Sequence, residues 1–129
     1  MDKVSPKFDA YHPDTEFNKK RFKDFLKIAL SPDIKNIYCF DDAIGIDADY
    51  QFSFNCNKTT AVLIRKRNNL KIDTITSDFA FGLQDEFIWW DKKKIEKLQL
   101  YSWKGEQEYY KYFWYDAEEQ KAYFFDFDL

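Results

Sequence analysis

The stretch "YYKYFWYDAEEQKAYFFDFDL", residues 109–129, decides the fold of this chain. Its aromatic rings fall on both faces of the segment 109–115, as expected of a strand that has neighbours on both sides and is covered above and below. The polar segment "DAEEQ" interrupts the rings and has the composition of a turn, after which 121–127 returns with a second dense alternation of apolar side chains. The stretch therefore predicts two adjacent strands in the middle of an antiparallel sheet, with a tyrosine-rich face that is partly open.

Shorter patterns supply the rest of the predicted sheet. The segment "DYQFSFNCN" alternates aromatic or cysteine side chains with polar ones, which is the period-two pattern of a half-buried strand. "LQLYSW" is a further strand candidate, and a short strand would fit within 72–90, which is the least readable part of the chain. The predicted strands are residues 49–56, 98–103, 108–116 and 120–127.

Two helices are predicted beside this sheet. Residues 15–29 place Phe22, Phe25 and Leu26 on one arc at 100° per residue and lysines on the other side, with Asp14 as the predicted N-cap. Residues 58–68 follow Asn57, which can cap a helix, although the β-branched side chains of this segment leave a strand as the rival interpretation. "DKKKIEKL" has room for a single helical turn.

These elements indicate a single α+β domain over residues 1–129. We expect an antiparallel sheet of about four or more strands with one or two helices packed on one face. The alternative architecture is a mostly-β barrel with one helix. Apolar residues make up 45% of the chain, which is enough for a core without a metal or a disulfide.

Composition restricts the functional classes. The net charge of −3 disfavours nonspecific binding to nucleic acid. Cys39 and Cys56 lie 17 positions apart without a metal-binding spacing, and both are expected to be free thiols. The beginning "MDKVSPKF" lacks the apolar region of a signal peptide, and no apolar run is long enough to span a membrane. We therefore expect a cytoplasmic protein without membrane contact.

Catalytic and metal-binding motifs are weak in this sequence. His12 is the only histidine, and no nucleophile is placed to use it as a general base. The segment "DDAIGIDAD", residues 41–49, is dense in carboxylates but departs from the ligand spacing of a calcium loop. The chain has only three glycines and no phosphate-binding loop. We expect no catalytic residues, no metal and no cofactor, and hence a protein that is not an enzyme.

Two acidic segments are the candidate partner-binding residues. No lysine or arginine lies between 36 and 57, so the carboxylates of that block have no local counter-charge. The second segment, "DEFIWWDKKK", combines acids with adjacent tryptophans, of which one is expected to be buried and the other open. The candidates are Asp41, Asp42, Asp47, Asp49, Asp85, Glu86 and Trp90.

In size and composition, the chain resembles the small bacterial immunity proteins of contact-dependent and related toxin systems. The resemblance extends to an acidic, aromatic-rich single domain without catalytic motifs, and no residue-level motif carries over. It implies a cytoplasmic protein that binds and neutralises a basic toxin domain, steered by opposite charges. The alternative is a small enzyme or ligand-binding domain with an aromatic-lined pocket, for which the candidate residues are Tyr110, Tyr112, Trp114 and Tyr123.

Overall fold

The computed structural model describes residues 10–41, 49–73 and 84–128. In chain order, the elements are α1 (Glu16–Leu26), β1 (Lys35–Asp41), β2 (Tyr50–Asn55), α2 (Lys58–Arg67), β3 (Lys71–Asp73), α3 (Lys92–Ile95), β4 (Leu100–Lys104), β5 (Tyr109–Asp116) and β6 (Lys121–Asp128). A short 3-10 turn, Glu106–Glu108, joins β4 to β5. The strands form one antiparallel sheet in the order β1-β2-β6-β5-β4-β3. The prediction of an α+β fold with an antiparallel sheet is confirmed.

The hairpin of β5 and β6 is the centre of the sheet, as its rings on both faces predicted. The two strands pair continuously from Tyr109 opposite Asp128 to Asp116 opposite Lys121. Asp116 stabilises the turn between them, because its Oδ1 accepts hydrogen bonds from the backbone N–H groups of Glu118 (3.0 Å) and Glu119 (3.2 Å). Strand β2 then pairs with β6 and strand β4 with β5, so neither central strand has a free edge.

Strand β1 was not predicted. Its side chains are apolar on both faces, so the sequence shows a short apolar run without clear alternation. Ile37 and Cys39 point toward the helices, while Tyr38 and Phe40 point toward the opposite side. An edge strand that is covered on both faces therefore extends the sheet beyond the predicted four strands.

The predicted N-cap of helix α1 is wrong by one residue. Thr15 is the cap, since its Oγ1 accepts from the N–H of Asn18 at 3.0 Å. Asp14 has a positive φ of 60°, and its carboxylate accepts from the backbone N–H groups of Asn36 (3.1 Å) and Ile37 (2.8 Å). Asp14 thus joins the entry of the helix to the edge strand.

Helix α1 also ends earlier than the predicted residue 29. Its last residue is Leu26, because Lys27 adopts the left-handed conformation with φ 60° and donates its N–H to the carbonyl of Lys23 at 3.2 Å. Helix α2 confirms the helical interpretation of 58–68 over the strand. Asn57 caps it by accepting from the N–H of Thr60 at 2.9 Å.

The sheet separates two hydrophobic cores, one on each face. The helix-face core lies under α1 and α2 and includes Phe22, Leu26, Ile37, Cys39, Phe52, Phe54, Cys56, Ala61, Ile64, Phe113 and Phe124. Both cysteines in it are buried free thiols. The opposite-face core is more aromatic and includes Trp89, Trp90, Ile95, Leu100, Tyr112, Trp114, Tyr123, Phe125 and Phe127.

The cover of the opposite face overturns two expectations. The tyrosine-rich face expected to be partly open is closed by residues 84–98, so Tyr112, Trp114 and Tyr123 are buried. Trp89 and Trp90 do not alternate across a strand. They belong to a tight turn in which the Trp90 N–H donates to the Phe87 carbonyl at 2.9 Å, and both side chains are buried. Among the described helices, none is long and apolar enough to cross a membrane.

Candidate functional site

Asp41 and Asp49, the described residues of the first acidic segment, lie at the same end of the sheet as the second acidic segment. Asp41, the last residue of β1, pairs with Tyr50, the first of β2. The next residue, Gln51, holds the second acidic segment in place: its Nε2 donates to the Asp85 carbonyl at 3.0 Å, and its Oε1 accepts from the Asp85 N–H at 2.8 Å. Asp42 and Asp47 lie outside the described residues.

These acids share an end of the sheet but not a face. Asp41 continues the alternation of Cys39 and is on the helix side, where the pKa of Tyr50 is raised by burial and further by the charge of Asp41. Arg21 of α1 acts on the same tyrosine in the opposite direction, so a base is also present at this position. Asp49 directly precedes β2, and its side chain is half-buried.

Asp85 and Glu86 lie on the other face and are exposed. Within the part of the chain that the structure describes, neither carboxylate makes an ion pair. Their charge is therefore available to a partner, as the sequence suggested for this segment.

An exposed group of apolar side chains adjoins these two acids. Tyr11 is 78% exposed and Ile88 is fully exposed, beside the half-buried Tyr38 and Phe87. With Glu86 and Trp89 they line a cavity of about 350 Å³. We call the set Tyr11, Tyr38, Asp85, Glu86, Phe87 and Ile88 the apolar-acidic patch.

The floor of the apolar-acidic patch is a stack of three parallel rings. Trp89 lies between Tyr38, at 5.4 Å between ring centroids and 10°, and Phe87, at 4.7 Å and 2°. Its Nε1 donates to the carbonyl of Ala10 at 2.6 Å, which fixes the plane of the indole. The patch is thus built on a rigid base, and this lowers the entropic cost of binding.

Trp90 is a correction to the predicted interface. The side chain is completely buried and makes edge contacts with Trp114, Tyr123 and Phe125. It cannot touch a partner in this conformation. The side chain that projects from this turn is instead Ile88.

A second candidate site is a cavity with charged lining residues on the helix face, where α1 and α2 end. We call it the charged cavity. Its volume is about 370 Å³. Its lining residues are Asp24, Phe25, Lys27, Arg67, Asn68, Asn69, Trp103, Tyr109, Lys111 and Asp126. Strands β5 and β6 place Lys111 directly opposite Asp126, and both residues are buried, with 6% and 4% of their surfaces exposed.

The hydrogen bonds of the charged cavity leave its two buried charges separate. The Tyr109 hydroxyl donates to Asp126 Oδ2 at 2.6 Å. Lys111 Nζ donates to Asn68 Oδ1 at 3.4 Å and lies 4.9 Å from the centroid of the Trp103 ring. Within the described ranges, Lys111 and Asp126 form no ion pair with each other, although they are register partners.

The burial of these groups shifts their protonation equilibria. Desolvation raises the pKa of Asp126 to about 6, against the smaller opposing effects of the Tyr109 hydrogen bond and the Lys111 charge. Burial lowers the pKa of Lys111, and the charge of Lys27 lowers it further. Perturbed groups of this kind cluster at functional sites. The only sequence signal for them is one polar residue within each aromatic strand, in "YKYFW" and "FFDF".

No group of three or more potential metal ligands occurs among the described residues. Comparison with protein-family models, with curated proteins and with solved structures finds no match to this chain. The apolar-acidic patch and the charged cavity are the two candidate sites on the described surface.

Proposed function

We propose that this protein is a non-catalytic binding protein, an immunity protein that neutralises a basic toxin domain in the cytoplasm through the apolar-acidic patch. The observation that carries the proposal is the pairing of an exposed apolar cluster with two exposed acids that have no described ion-pair partner. Exposed apolar side chains rimmed by charge are typical of protein-protein interfaces.

The acidic and the apolar side chains of the patch would have different roles in binding. The exposed carboxylates of Asp85 and Glu86 would attract a basic surface, and the charges of Asp41, Asp42, Asp47 and Asp49 would add to the negative field. Ile88 and Tyr11 would then lose their water and hold the complex. Because the ring stack beneath Ile88 is already ordered, little conformational freedom remains to be lost on association.

The aromatic-pocket alternative loses its residues on this fold. Tyr112, Trp114 and Tyr123 are members of the opposite-face core, and Tyr110 stacks on Phe127 at 5.2 Å. A stacking site for a sugar or a base would require these rings to be open.

The test is capture of the partner followed by kinetics and growth rescue. We expect the tagged protein to retain a basic domain that is toxic when expressed alone, and co-expression of this chain to restore growth. The association rate should fall steeply when salt is raised from about 50 mM to about 300 mM, because exposed charges are screened. Replacing Ile88 with Ala should raise the dissociation rate by about tenfold, because apolar anchors mainly govern dissociation.

Two sets of acid-to-amide variants separate the contributions. D85N/E86Q should slow association several-fold, and D41N/D42N/D47N/D49N should slow it less if the patch is the contact. E96Q/E118Q, which removes two exposed acids elsewhere, is the matched control and should leave the rate unchanged. A captured partner that is acidic, or kinetics insensitive to salt and to both acidic sets, would contradict the proposal.

A further inference from the structure

We propose that the charged cavity at the ends of α1 and α2 binds a small organic anion, a carboxylate, sulfonate or phosphate attached to an apolar or aromatic body. This site lies on the helix face of the sheet, whereas the apolar-acidic patch lies beside the opposite-face core. The two sites can therefore be tested independently of each other.

The cavity carries an excess of positive charge in a protein that is negative overall. Three cationic side chains line it, Lys27, Arg67 and Lys111, against the carboxylates of Asp24 and Asp126. The sign of this local charge is opposite to the net charge of −3 over the whole chain. Local positive potential in a concave, partly dry site concentrates anions.

The ammonium groups of Lys27 and Lys111 lie close enough together for one anion to contact both. Lys27 lowers the pKa of Lys111 after burial does, which places the two like charges near one another. The Lys111 ammonium has one long hydrogen bond, 3.4 Å to Asn68, of the three that it can donate. An anion between Lys27 and Lys111 would supply the missing acceptor and relieve their repulsion.

A cation is a poorer fit, even though two helix C-termini point at the cavity. The carbonyl oxygens there already have donors. Asn68 Nδ2 donates to the carbonyls of Leu26 (2.9 Å) and Ile64 (3.0 Å), and the Lys27 N–H donates to Lys23. Three of the side chains that line the space beyond them are cationic, against two carboxylates.

The remaining walls are aromatic and suggest an organic body on the anion. Phe25, Trp103 and Tyr109 contribute ring surface, and Trp103 meets Tyr109 edge-on at 5.4 Å. Gly105 permits the position of the Trp103 ring, because a Cβ at Gly105 would collide with it. A volume of about 370 Å³ is at the small end of ligand pockets.

Protonation of Asp126 should control the affinity. Its carboxylate, when ionised, repels an anion bound near Lys111, and the repulsion ends as the pH falls through about 6. The other charged or titratable groups around Asp126 are Tyr109 and Lys111 on β5, Lys27 and Asp24 at the end of α1, Arg67 on α2, Tyr50 on β2 and Asp128 on β6.

The experiment is an NMR titration of the full chain with sulfate and with benzenesulfonate, whose charges do not change between about pH 5 and about pH 7.5. We expect saturable shifts of the amides of Asn68, Asn69 and Lys111, and binding of benzenesulfonate about tenfold tighter than that of sulfate, because the rings contact its body. Affinity should rise about threefold to tenfold from pH 7.5 to pH 5. D126N should bind at pH 7.5 as tightly as the unaltered protein does at pH 5.

Two further variants each remove one cation at an exposed position, where a substitution is not expected to disturb folding. K27Q and R67Q should each weaken binding about fivefold or more, while K93Q, an exposed lysine on α3, should have no effect. The absence of saturable shifts, shifts that map elsewhere, equal affinity for the two anions, or unchanged binding in K27Q would each overturn the proposal.

Discussion

The two faces of the sheet are covered in different ways, and each candidate site occurs where its cover ends. Two capped helices cover the helix face, and beyond their last residues, Leu26 and Arg67, the buried pair of Lys111 and Asp126 faces the charged cavity. An irregular segment with one helical turn covers the opposite face, held by Trp89 and Trp90. Its turn leaves Ile88 outside, and the apolar-acidic patch forms there.

This difference also shows why the two sites have opposite chemistry. Helices leave carbonyl groups at their C-termini, which basic side chains such as Lys27 and Arg67 complement. A tight turn of large rings instead buries its tryptophans and has no such electrostatic preference. The exposed acids Asp85 and Glu86 lie next to it, and the backbone of Asp85 is bonded to the Gln51 side chain.

The largest expected effect tests whether the irregular cover holds its face as firmly as the helices hold theirs. W90A removes a fully buried indole with four edge contacts and a hydrogen bond from its Nε1 to Gln84 Oε1 at 2.8 Å. F22A removes a fully buried ring from the helix face. Each should lower the free energy of unfolding by about 3–5 kcal/mol, measured by urea denaturation.

F25A is the matched variant for the helix face. The sequence arc placed Phe25 beside Phe22, but Phe25 is only partly buried, at the rim of the cavity, so its loss should cost clearly less, about 2 kcal/mol. If W90A lowers the free energy of unfolding no more than F25A does, the irregular segment packs only weakly on its face of the sheet. The two faces would then contribute unequally to stability.

The second prediction concerns the buried carboxylate of the helix face. The pKa of Asp126 is raised to about 6, so the folded state binds its proton more tightly than the unfolded chain does. The stability from this group is fully present below about pH 4 and is lost as the pH rises through about 6. A shift of about two units corresponds to about 3 kcal/mol.

D126N should remove this pH dependence. We compare the free energy of unfolding of D126N with that of the unaltered protein. The difference should favour D126N more at about pH 7.5 than at about pH 4, by up to about 3 kcal/mol. Denaturation of both proteins at the two pH values measures the difference, and other titrating groups cancel. D128N, at the half-buried end of the same strand, is the control. A D126N difference that is the same at both pH values would show that Asp126 is not perturbed.

Much of the helix face could be predicted from the sequence, because its elements are periodic and capped. Each element has a local signal in the sequence. The apolar arc that includes Phe22 predicts α1, the cap Asn57 predicts the start of α2, and the rings on both faces of 109–115 predict β5. The cover of the opposite face could not be predicted, because Trp89 and Trp90 are fixed by contacts with distant residues, Ala10 and Gln84 among them. The sequence also could not predict that Lys111 and Asp126 line the same cavity. Their proximity depends on strand register and on where the two helices end.

The third prediction concerns the joint between the two helices. Asn68 is buried, and its amide links the carbonyl of Leu26 to that of Ile64, while its Oδ1 accepts from Lys111. N68A should cost about 2 kcal/mol, because it leaves two buried carbonyls and a buried ammonium with fewer partners. N69A changes the neighbouring exposed position, where φ is 55°, and leaves both helix carbonyls bonded to Asn68, so it should cost less. Thermal or urea denaturation of both variants would compare them, and equal losses would contradict the role of the Asn68 amide.

The smallest expected change in stability is that of substituting Ile88. Comparing it with a substitution of Trp89 distinguishes the surface of the opposite face from its core. The Ile88 side chain is fully exposed at the tip of the turn, whereas its neighbour Trp89 lies within the ring stack. I88A should change the free energy of unfolding by less than about 0.5 kcal/mol, as is usual for exposed positions. W89A should cost several times more, since it removes the floor on which Tyr38 and Phe87 stack. An exposed apolar residue that contributes nothing to stability is free to vary unless a partner requires it, so a neutral I88A that still loses partner binding would assign the side chain to recognition. A strongly destabilising I88A would instead show that the turn is part of the core and that the apolar-acidic patch is not a separate surface.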